Sequence, residues 1–145
     1  MLYQSLHVPG GDAPFPRDVV TRPEIAKYVR GWGRQGDLGF VARDSSSNEP
    51  IGAAWLRLLK GDERGYGYVD DHTPELGIAV LPEYRGRGVG SALLRRLLEA
   101  ASAVYESVSL SVSSDNPALR LYERMEFQQV SMSGRSVTMI KSLRA

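Results

Sequence analysis

Three glycines at alternate positions stand where a strand-like segment passes into an amphipathic helix. They are Gly86, Gly88 and Gly90, with Arg85 and Arg87 beside and between them. The first turn of a helix has free backbone N–H groups and a partial positive charge, so it binds phosphate. Glycine lets the backbone approach such a ligand closely, and arginine adds charge-assisted donors. The pattern predicts a phosphate-binding turn, although a tight strand-to-helix turn without a ligand would need flexible residues too.

Common nucleotide and metal motifs do not fit this chain. The spacing Gly-x-Gly-x-Gly differs from the Gly-x-Gly-x-x-Gly of dinucleotide-binding folds, and Gly90-Ser91 lacks the lysine of a P-loop. Cysteine is absent, which excludes disulfides, thiolate metal sites and cysteine nucleophiles. The two histidines, His7 and His72, are far apart and neither has a supporting motif. We therefore predict no metal site and no Ser-His-Asp triad.

Length and composition indicate one soluble domain. The chain has 145 residues, of which 42% are hydrophobic and 24% charged, so we expect a single domain over residues 1–145. The net charge of +1 provides no basic excess for binding nucleic acid. No apolar run approaches the roughly 20 residues of a membrane span, so no membrane partner is expected. The N-terminus lacks a signal-peptide pattern, and a cytoplasmic location is the expectation.

Hydrophobic patterning predicts the elements that must position the glycine-rich turn. In chain order they are a short helix (22–33), a hairpin (38–44 and 50–59), a strand (75–82), a helix (90–104), a strand (107–115), a helix (116–125) and a second hairpin turning near Gly134 (127–143). The first long helix has apolar residues at four-residue spacing from Val89 to Ala101. The strand after it alternates strictly, with Val108 and Leu110 on one face. Asn116 suits the N-cap of the last helix.

This order of elements predicts an α+β fold. The central strand–helix–strand unit should be a parallel, right-handed crossover, because such connections are right-handed almost without exception. The flanking hairpins should be antiparallel. We therefore expect a mixed, largely antiparallel twisted sheet with helices packed on it in three layers.

Two blocks of the sequence resemble the GNAT superfamily of acetyl-CoA-dependent N-acetyltransferases. The first block is ELGIAVLPEYRGRGVG (75–90), in which Arg85, Gly88 and Gly90 match the family's Arg/Gln-x-x-Gly-x-Gly/Ala motif. The second is SSDNPALRLYERMEF (113–127), which matches the family's Asn, Ala, Tyr and Gly-Phe region with Glu126 in place of the glycine. With the hairpins, the resemblance covers roughly residues 38–143, and the segment before Leu38 matches poorly.

The resemblance implies a binding site for acetyl-CoA. In this family a central strand splays from its parallel neighbour, and the pantetheine arm pairs with the exposed strand amides, here those of Ile78 and Val80. The pyrophosphate would lie on the amides at the start of the helix, and Asn116 would reach the pantetheine. The implied cofactor-binding residues are Ile78, Ala79, Val80, Arg85, Arg87, Gly88, Val89, Gly90, Ser91 and Asn116.

The resemblance also implies the reaction, which is direct acetylation of a primary amine of a small molecule or peptide in a ternary complex. An alkyl ammonium has a pKa near 10.4, so a base must accept its proton. Glu75 is the candidate base, and the loop residues Asp70, Asp71 and His72 are alternatives. Tyr122 occupies the family's position for the acid that protonates the leaving thiolate, although it also lies on the apolar stripe of its helix.

Several alternatives stay open at this stage. The chain could be an acyl-CoA-binding regulatory or sensor module that does not transfer the acetyl group. A nucleotide-binding protein of another fold is a third interpretation. The edge strands of the hairpins could pair two copies into a homodimer. Candidates for lining the acceptor pocket are the aromatic residues Tyr28, Trp32, Tyr66 and Tyr68.

Overall fold

The computed structural model describes residues 35–60 and 65–144, which form one mixed sheet with two α-helices against it. The elements are β1 (Leu38–Arg43), β2 (Pro50–Arg57), β3 (Glu75–Val80), a 3-10 turn (Pro82–Tyr84), α1 (Val89–Ala101), β4 (Ser107–Ser113), α2 (Ala118–Arg124), β5 (Gln128–Ser133) and β6 (Ser136–Ser142). The helix predicted in 22–33 lies outside the described residues. Within the described residues no helix has the length and apolar content of a membrane span.

The sheet has the predicted mixed topology. Its strands lie in the order β1-β2-β3-β4-β6-β5. The neighbours β3 and β4 are parallel, and the other neighbouring pairs are antiparallel. Both predicted hairpins, β1–β2 and β5–β6, are present. The α+β fold class and the central parallel strand–helix–strand unit are therefore confirmed.

One face of the sheet packs against the helices. The side chains of Val108, Leu110 and Val112 point to this face and are at most 5% exposed. The buried residues of α1 that meet them are Leu93, Leu94, Leu97, Leu98 and Ala101. Each such side chain contributes roughly 1.5–3 kcal/mol when fully buried. The stripe predicted for α1 is confirmed, but the helix ends at Ala101 rather than Val104. After Ala101 the N–H groups of Ala103 and Val104 donate to carbonyls three residues back, at 3.4 and 2.9 Å, instead of four.

The end of α2 departs from the family's sequence but keeps a regular helix stop. Glu126 adopts φ +70°, a left-handed conformation. Its N–H donates to the Glu123 carbonyl at 3.0 Å, and the Phe127 N–H donates to the Tyr122 carbonyl at 3.0 Å. These two bonds form a Schellman motif, in which the residue at the Glu126 position is usually glycine. The turn is thus made with a glutamate in a strained position, which places Phe127 in the core.

Candidate active site

The parallel strands β3 and β4 are joined only where they begin. Their single register pair is Glu75 with Ser109, where the Ser109 N–H donates to the Pro74 carbonyl at 2.9 Å. On its other side, β3 pairs with β2 over its full length. The Leu81 N–H donates to Ile51 of β2, so alternation turns the amides of Ile78 and Val80 toward β4. A wedge therefore opens between β3 and β4, and strand amides line one wall of it.

The predicted cofactor residues of β3 divide between the two sides of the strand. The amides of Ile78 and Val80 face the wedge, as the resemblance implied. The amide of Ala79 faces β2 instead, and its small side chain is 4% exposed on the sheet face away from α1. Its side chain packs there with Ala53 and Trp55, so Ala79 offers the wedge no backbone hydrogen bond.

The glycine-rich turn lies at the open end of this wedge. Gly86 and Gly88 adopt φ +78° and +81°, and a Cβ at either position would meet nothing within 4 Å. These two glycines are needed for their backbone conformation rather than for space. The first bond of the α1 ladder runs from the Ala92 N–H to the Gly88 carbonyl. The amides of the three residues that open the helix, Val89, Gly90 and Ser91, therefore precede the ladder and are oriented to bind an anion.

Both predicted arginines are held by neighbouring groups. Arg85 Nε donates to the Val80 carbonyl at 2.9 Å, which ties the turn to the end of β3. The Arg87 guanidinium lies over the ring of Tyr84, 5.2 Å from its centroid. The Tyr84 hydroxyl donates to Asp44 Oδ2 at 2.8 Å, in the turn between β1 and β2. Side-chain and backbone donors around Asp44 keep its pKa well below the usual range, and the bond to Asp44 raises the pKa of Tyr84.

Glu75 is buried at the closed end of the wedge. It is 3% exposed, and its two carboxylate oxygens accept the amide N–H groups of Gly65 at 2.9 Å and Gly67 at 2.8 Å. A Cβ at Gly67 would come within 3.0 Å of the backbone of Leu110 and Ser111, so this segment lies directly on β4. Glu75 thus holds a loop against the sheet.

The alternative bases lie on the surface of the loop that precedes β3. Asp70, Asp71 and His72 are all exposed. Asp70 accepts the His72 N–H at 2.8 Å in a turn, and Asp71 accepts the Tyr68 hydroxyl at 2.7 Å. Of the aromatic pocket candidates, Tyr66 is 57% exposed. Tyr28 and Trp32 lie outside the described residues.

Tyr122 belongs to the hydrophobic core. It is 6% exposed and contacts Phe127 edge to face, with ring centroids 5.8 Å apart. Burial raises the pKa of Tyr122 to about 12. Within residues 35–60 and 65–144, no hydrogen bond is made by its hydroxyl. The phenol is therefore protonated at neutral pH and able to donate.

Asn116 has a structural role that the sequence indicated. Its Oδ1 accepts the Ala118 N–H at 2.9 Å, and its backbone carbonyl accepts the Leu119 N–H at 3.0 Å. The residue thus caps the start of α2, whose assigned range begins at Ala118. Its carboxamide NH₂ group is left to donate to a ligand.

Two polar groups near Glu75 were not identified from the sequence. The indole Nε1 of Trp55 and the hydroxyl of Ser109 are buried, and neither has a hydrogen-bond partner among residues 35–60 and 65–144. Trp55 pairs with Gly77 across β2 and β3, and Ser109 pairs with Glu75 across β3 and β4. The only sequence signal for this juxtaposition is a glycine in a strand, which marks a close approach of another group.

The chain matches proteins of known families over most of its length. The model of the acetyltransferase (GNAT) family matches residues 5–127, which reaches further toward the N-terminus than the two motif blocks. An N-alpha-acetyltransferase from Sulfurisphaera tokodaii is 43% identical over 58 residues, 38% of this chain and 35% of that protein. The match thus spans about a third of that curated relative.

Solved structures share the fold. A GnaT-family acetyltransferase from Bordetella pertussis is 27% identical with a TM-score of 0.62, over 75% of this chain and 67% of that one. A phosphinothricin acetyltransferase from Sinorhizobium meliloti, solved in complex with acetyl-CoA, is 22% identical with a TM-score of 0.60, over 74% of this chain and 61% of that one.

Proposed function

The chain belongs to the acetyltransferase (GNAT) family, and from that membership we propose that it transfers an acetyl group from acetyl-CoA to a primary amine of a small molecule or peptide. The observation that carries the proposal is the wedge between β3 and β4, which are paired only at Glu75 and Ser109. Such a gap in a parallel sheet leaves strand amides unpaired unless a ligand occupies it. The glycine-rich turn stands at its open end.

Acetyl-CoA fits this wedge in one direction. Its diphosphate takes the amides that open α1, and its pantetheine arm runs along β3 and accepts hydrogen bonds from Ile78 and Val80. Arg87 adds positive charge beside the phosphates, and the Asn116 carboxamide donates to the pantetheine. The Sinorhizobium meliloti acetyltransferase with the same fold was solved with acetyl-CoA, which supports this choice of co-substrate.

The reaction is an attack of the neutral amine on the thioester carbonyl. A C–N bond forms, the C–S bond breaks and the thiolate of coenzyme A leaves. The proton lost by the amine goes to a base, for which Glu75 at the closed end of the wedge is our first choice. The exposed loop carboxylates Asp70 and Asp71, or His72, would have to act through water.

Tyr122 acts on the leaving sulfur as a hydrogen-bond donor. A phenol with a pKa of about 12 is a weaker acid than a thiol with a pKa of roughly 8.5. Full proton transfer from Tyr122 to the thiolate would therefore cost roughly 5 kcal/mol. A hydrogen bond to the developing negative charge carries no such cost, and solvent completes the protonation after release.

Release of the free thiol of coenzyme A tests the proposal. We expect thiol to appear with at least one amine of a panel of amino acids, short peptides and alkyl amines. Tyr122→Phe should lower turnover by about 10–100-fold and leave acetyl-CoA affinity unchanged, because the donor acts on the leaving group. Tight acetyl-CoA binding with no thiol release from any amine would instead establish a binding module. Equal turnover of Tyr122→Phe and the wild type would remove Tyr122 from the mechanism.

A further inference from the structure

Residues 85–88 of the glycine-rich turn are exposed to solvent. Gly86 and Gly88 adopt positive φ angles, and a Cβ at either position would meet no atom of the described residues within 4 Å. Glycine loses more conformational entropy than other residues when a segment becomes ordered. A turn that receives a ligand in one conformation therefore needs a tie to a more rigid part of the fold.

Tyr84, the last residue of the 3-10 turn, contacts both the glycine-rich turn and a second loop. The Arg87 guanidinium lies over its ring, 5.2 Å from the centroid. Its hydroxyl donates to Asp44 Oδ2 at 2.8 Å. Its backbone N–H donates to the Leu81 carbonyl at 2.9 Å, directly after β3. One side chain thus connects Arg87 with the turn between β1 and β2.

The Asp44 carboxylate is oriented by its own turn. Its Oδ1 accepts the backbone N–H groups of Ser46 at 2.8 Å and Ser47 at 3.2 Å. Its backbone carbonyl accepts the Asn48 N–H at 2.7 Å, which closes the turn. One carboxylate oxygen therefore holds the β1–β2 turn while the other binds Tyr84. An acceptor fixed in this way holds the phenol in one position.

The bond between Tyr84 and Asp44 also strengthens the contact with Arg87. A phenol that donates to a carboxylate is polarised, so its ring becomes richer in electrons. The negative face of an aromatic ring attracts a cation, and this attraction increases with the electron density. Because the contact uses no N–H···O bond, the guanidinium donors of Arg87 stay free to bind phosphate oxygens.

This tie lies at the end of the sheet where the diphosphate of acetyl-CoA would bind. The β1–β2 turn and the glycine-rich turn share that end, because β2 begins there and its antiparallel neighbours β1 and β3 end there. The closed end of the wedge lies a full length of β3 away, about 16 Å at a rise of about 3.3 Å per residue. A change in the tie therefore acts on the phosphate end of the ligand and not on the reacting atoms.

We propose that Tyr84 and Asp44 are positioning residues for the diphosphate of acyl-CoA, because they hold Arg87 and the glycine-rich turn in the binding conformation before the ligand arrives. The proposal rests on the acetyl-CoA binding proposed above. Order that exists before binding lowers the entropy that binding costs, so loss of the tie weakens the affinity for coenzyme A. It leaves kcat unchanged, since neither residue acts at the reacting end.

Tyr84→Phe tests the tie, because it removes the hydroxyl and keeps the ring. The Kd for coenzyme A, measured by calorimetry, and the KM for acetyl-CoA should rise about 3–10-fold, while kcat stays within about twofold. S-acetylpantetheine lacks the diphosphate, so its kcat/KM should be the same for the variant and the wild type. An equal loss with both acyl donors, or no loss with acetyl-CoA, would overturn the proposal.

Asp44→Asn tests whether Tyr84 acts through this carboxylate. The amide keeps one oxygen for the β1–β2 turn, but its NH₂ group cannot accept the Tyr84 hydroxyl. This variant should raise the Kd for coenzyme A as much as Tyr84→Phe does. The double variant should bind no more weakly than either single variant, because all three lack the same bond. Additive losses would show that the two residues act separately and would overturn the role of Asp44.

Tyr105→Phe is the matched control for stability. Its hydroxyl donates to the Gly36 carbonyl at 2.8 Å, at the other end of the sheet. Loss of one such bond should lower the thermal midpoint by about 2–4 °C in Tyr105→Phe and in Tyr84→Phe alike. Only Tyr84→Phe should bind coenzyme A more weakly. An equal rise in Kd for Tyr105→Phe would assign the effect to general destabilisation and overturn the positioning role.

The outcomes separate this inference from the proposed function. If the wild type binds no coenzyme A, the proposed function fails and this inference fails with it. If the wild type binds coenzyme A and releases thiol, but Tyr84→Phe binds coenzyme A equally well, only the inference fails.

Discussion

Burial decides what the Tyr122 phenol can do as an acid and how it affects stability. Its pKa is raised to about 12 in the folded chain, against about 10 when unfolded. The folded state therefore holds this proton more tightly. The stabilisation is present in full below pH 10 and is lost as the pH rises toward 12.

This gives a prediction for alkaline conditions. Between pH 9 and pH 11 the titration of Tyr122 should lower the free energy of unfolding by about 1.4 kcal/mol. In Tyr122→Phe that contribution is absent, so its unfolding free energy should fall less over the same interval. Urea unfolding of both proteins at the two pH values measures the difference, and the subtraction cancels the lysines and the other tyrosines. Identical pH dependence of the two proteins would show that Tyr122 is not desolvated.

The sequence predicted the role of a single residue where that role depends only on its neighbours in the chain. Gly86 and Gly88 were identified from their place between a strand and a helix, as residues that let the backbone approach a phosphate. The structure shows that they also supply positive φ angles. Asn116 was identified because a helix start needs an acceptor. Trp55 and Ser109 were not identified, because their lack of partners within the described part of the chain depends on which residues face each other across three strands. The tie from Tyr84 to Asp44 was missed for the same reason, since 40 residues separate the two.

At the scale of the elements, the stop of α2 is the point at which the sequence and the conformation disagree. Glu126 adopts φ +70° in a Schellman motif, a conformation that costs a residue with a Cβ about 1–2 kcal/mol. Its exposed ion pair with Lys141, at 3.4 Å, returns little of this cost.

Glu126→Gly should therefore stabilise the chain. We expect a gain of about 0.5–1 kcal/mol, because relief of the left-handed strain outweighs the added entropy of glycine in the unfolded state. Equilibrium urea unfolding measures it, with Glu126→Ala as the control that removes the ion pair and keeps the Cβ. The glycine variant should exceed the alanine variant in stability. If the two are equal, the turn carries no strain.

The hydrophobic periodicity predicted which helices and strands form, but it did not always predict where they begin and end. The alternation of β4 and the four-residue spacing of α1 predicted their buried faces, because the apolar residues of both elements pack into the same hydrophobic core. The end of α1 was predicted three residues late, since Val104 continues the apolar spacing although it is 61% exposed. Periodicity also gave no sign of the 3-10 turn at Pro82–Tyr84, which sets the direction from β3 into the glycine-rich turn.

At the scale of the whole molecule, a ligand bound in the wedge between β3 and β4 should raise the free energy of unfolding. The family resemblance predicted the splay, but neither strand's own sequence shows that the pairing ends after Glu75 and Ser109. On their outer sides β3 pairs with β2 and β4 pairs with β6, so each wall of the wedge belongs to a different half of the sheet. A ligand that joins the two walls should therefore stabilise the sheet as a unit.

Acetyl-CoA at 100 times its Kd should raise the unfolding free energy by about 2.7 kcal/mol. It should also slow deuterium exchange at the amides that open α1 and at Ile78 and Val80.

Gly90→Ala separates this effect from folding, because a Cβ there would meet Ile78, Val80 and Leu121 no closer than 3.8 Å and the position is helical. That variant should be as stable as the wild type or more so without ligand, by up to about 1 kcal/mol, since alanine favours the helix. With acetyl-CoA it should gain less stability and less exchange protection, because the new methyl group stands where the diphosphate approaches the backbone. Full protection of the Gly90→Ala variant by acetyl-CoA would place the diphosphate away from the start of α1.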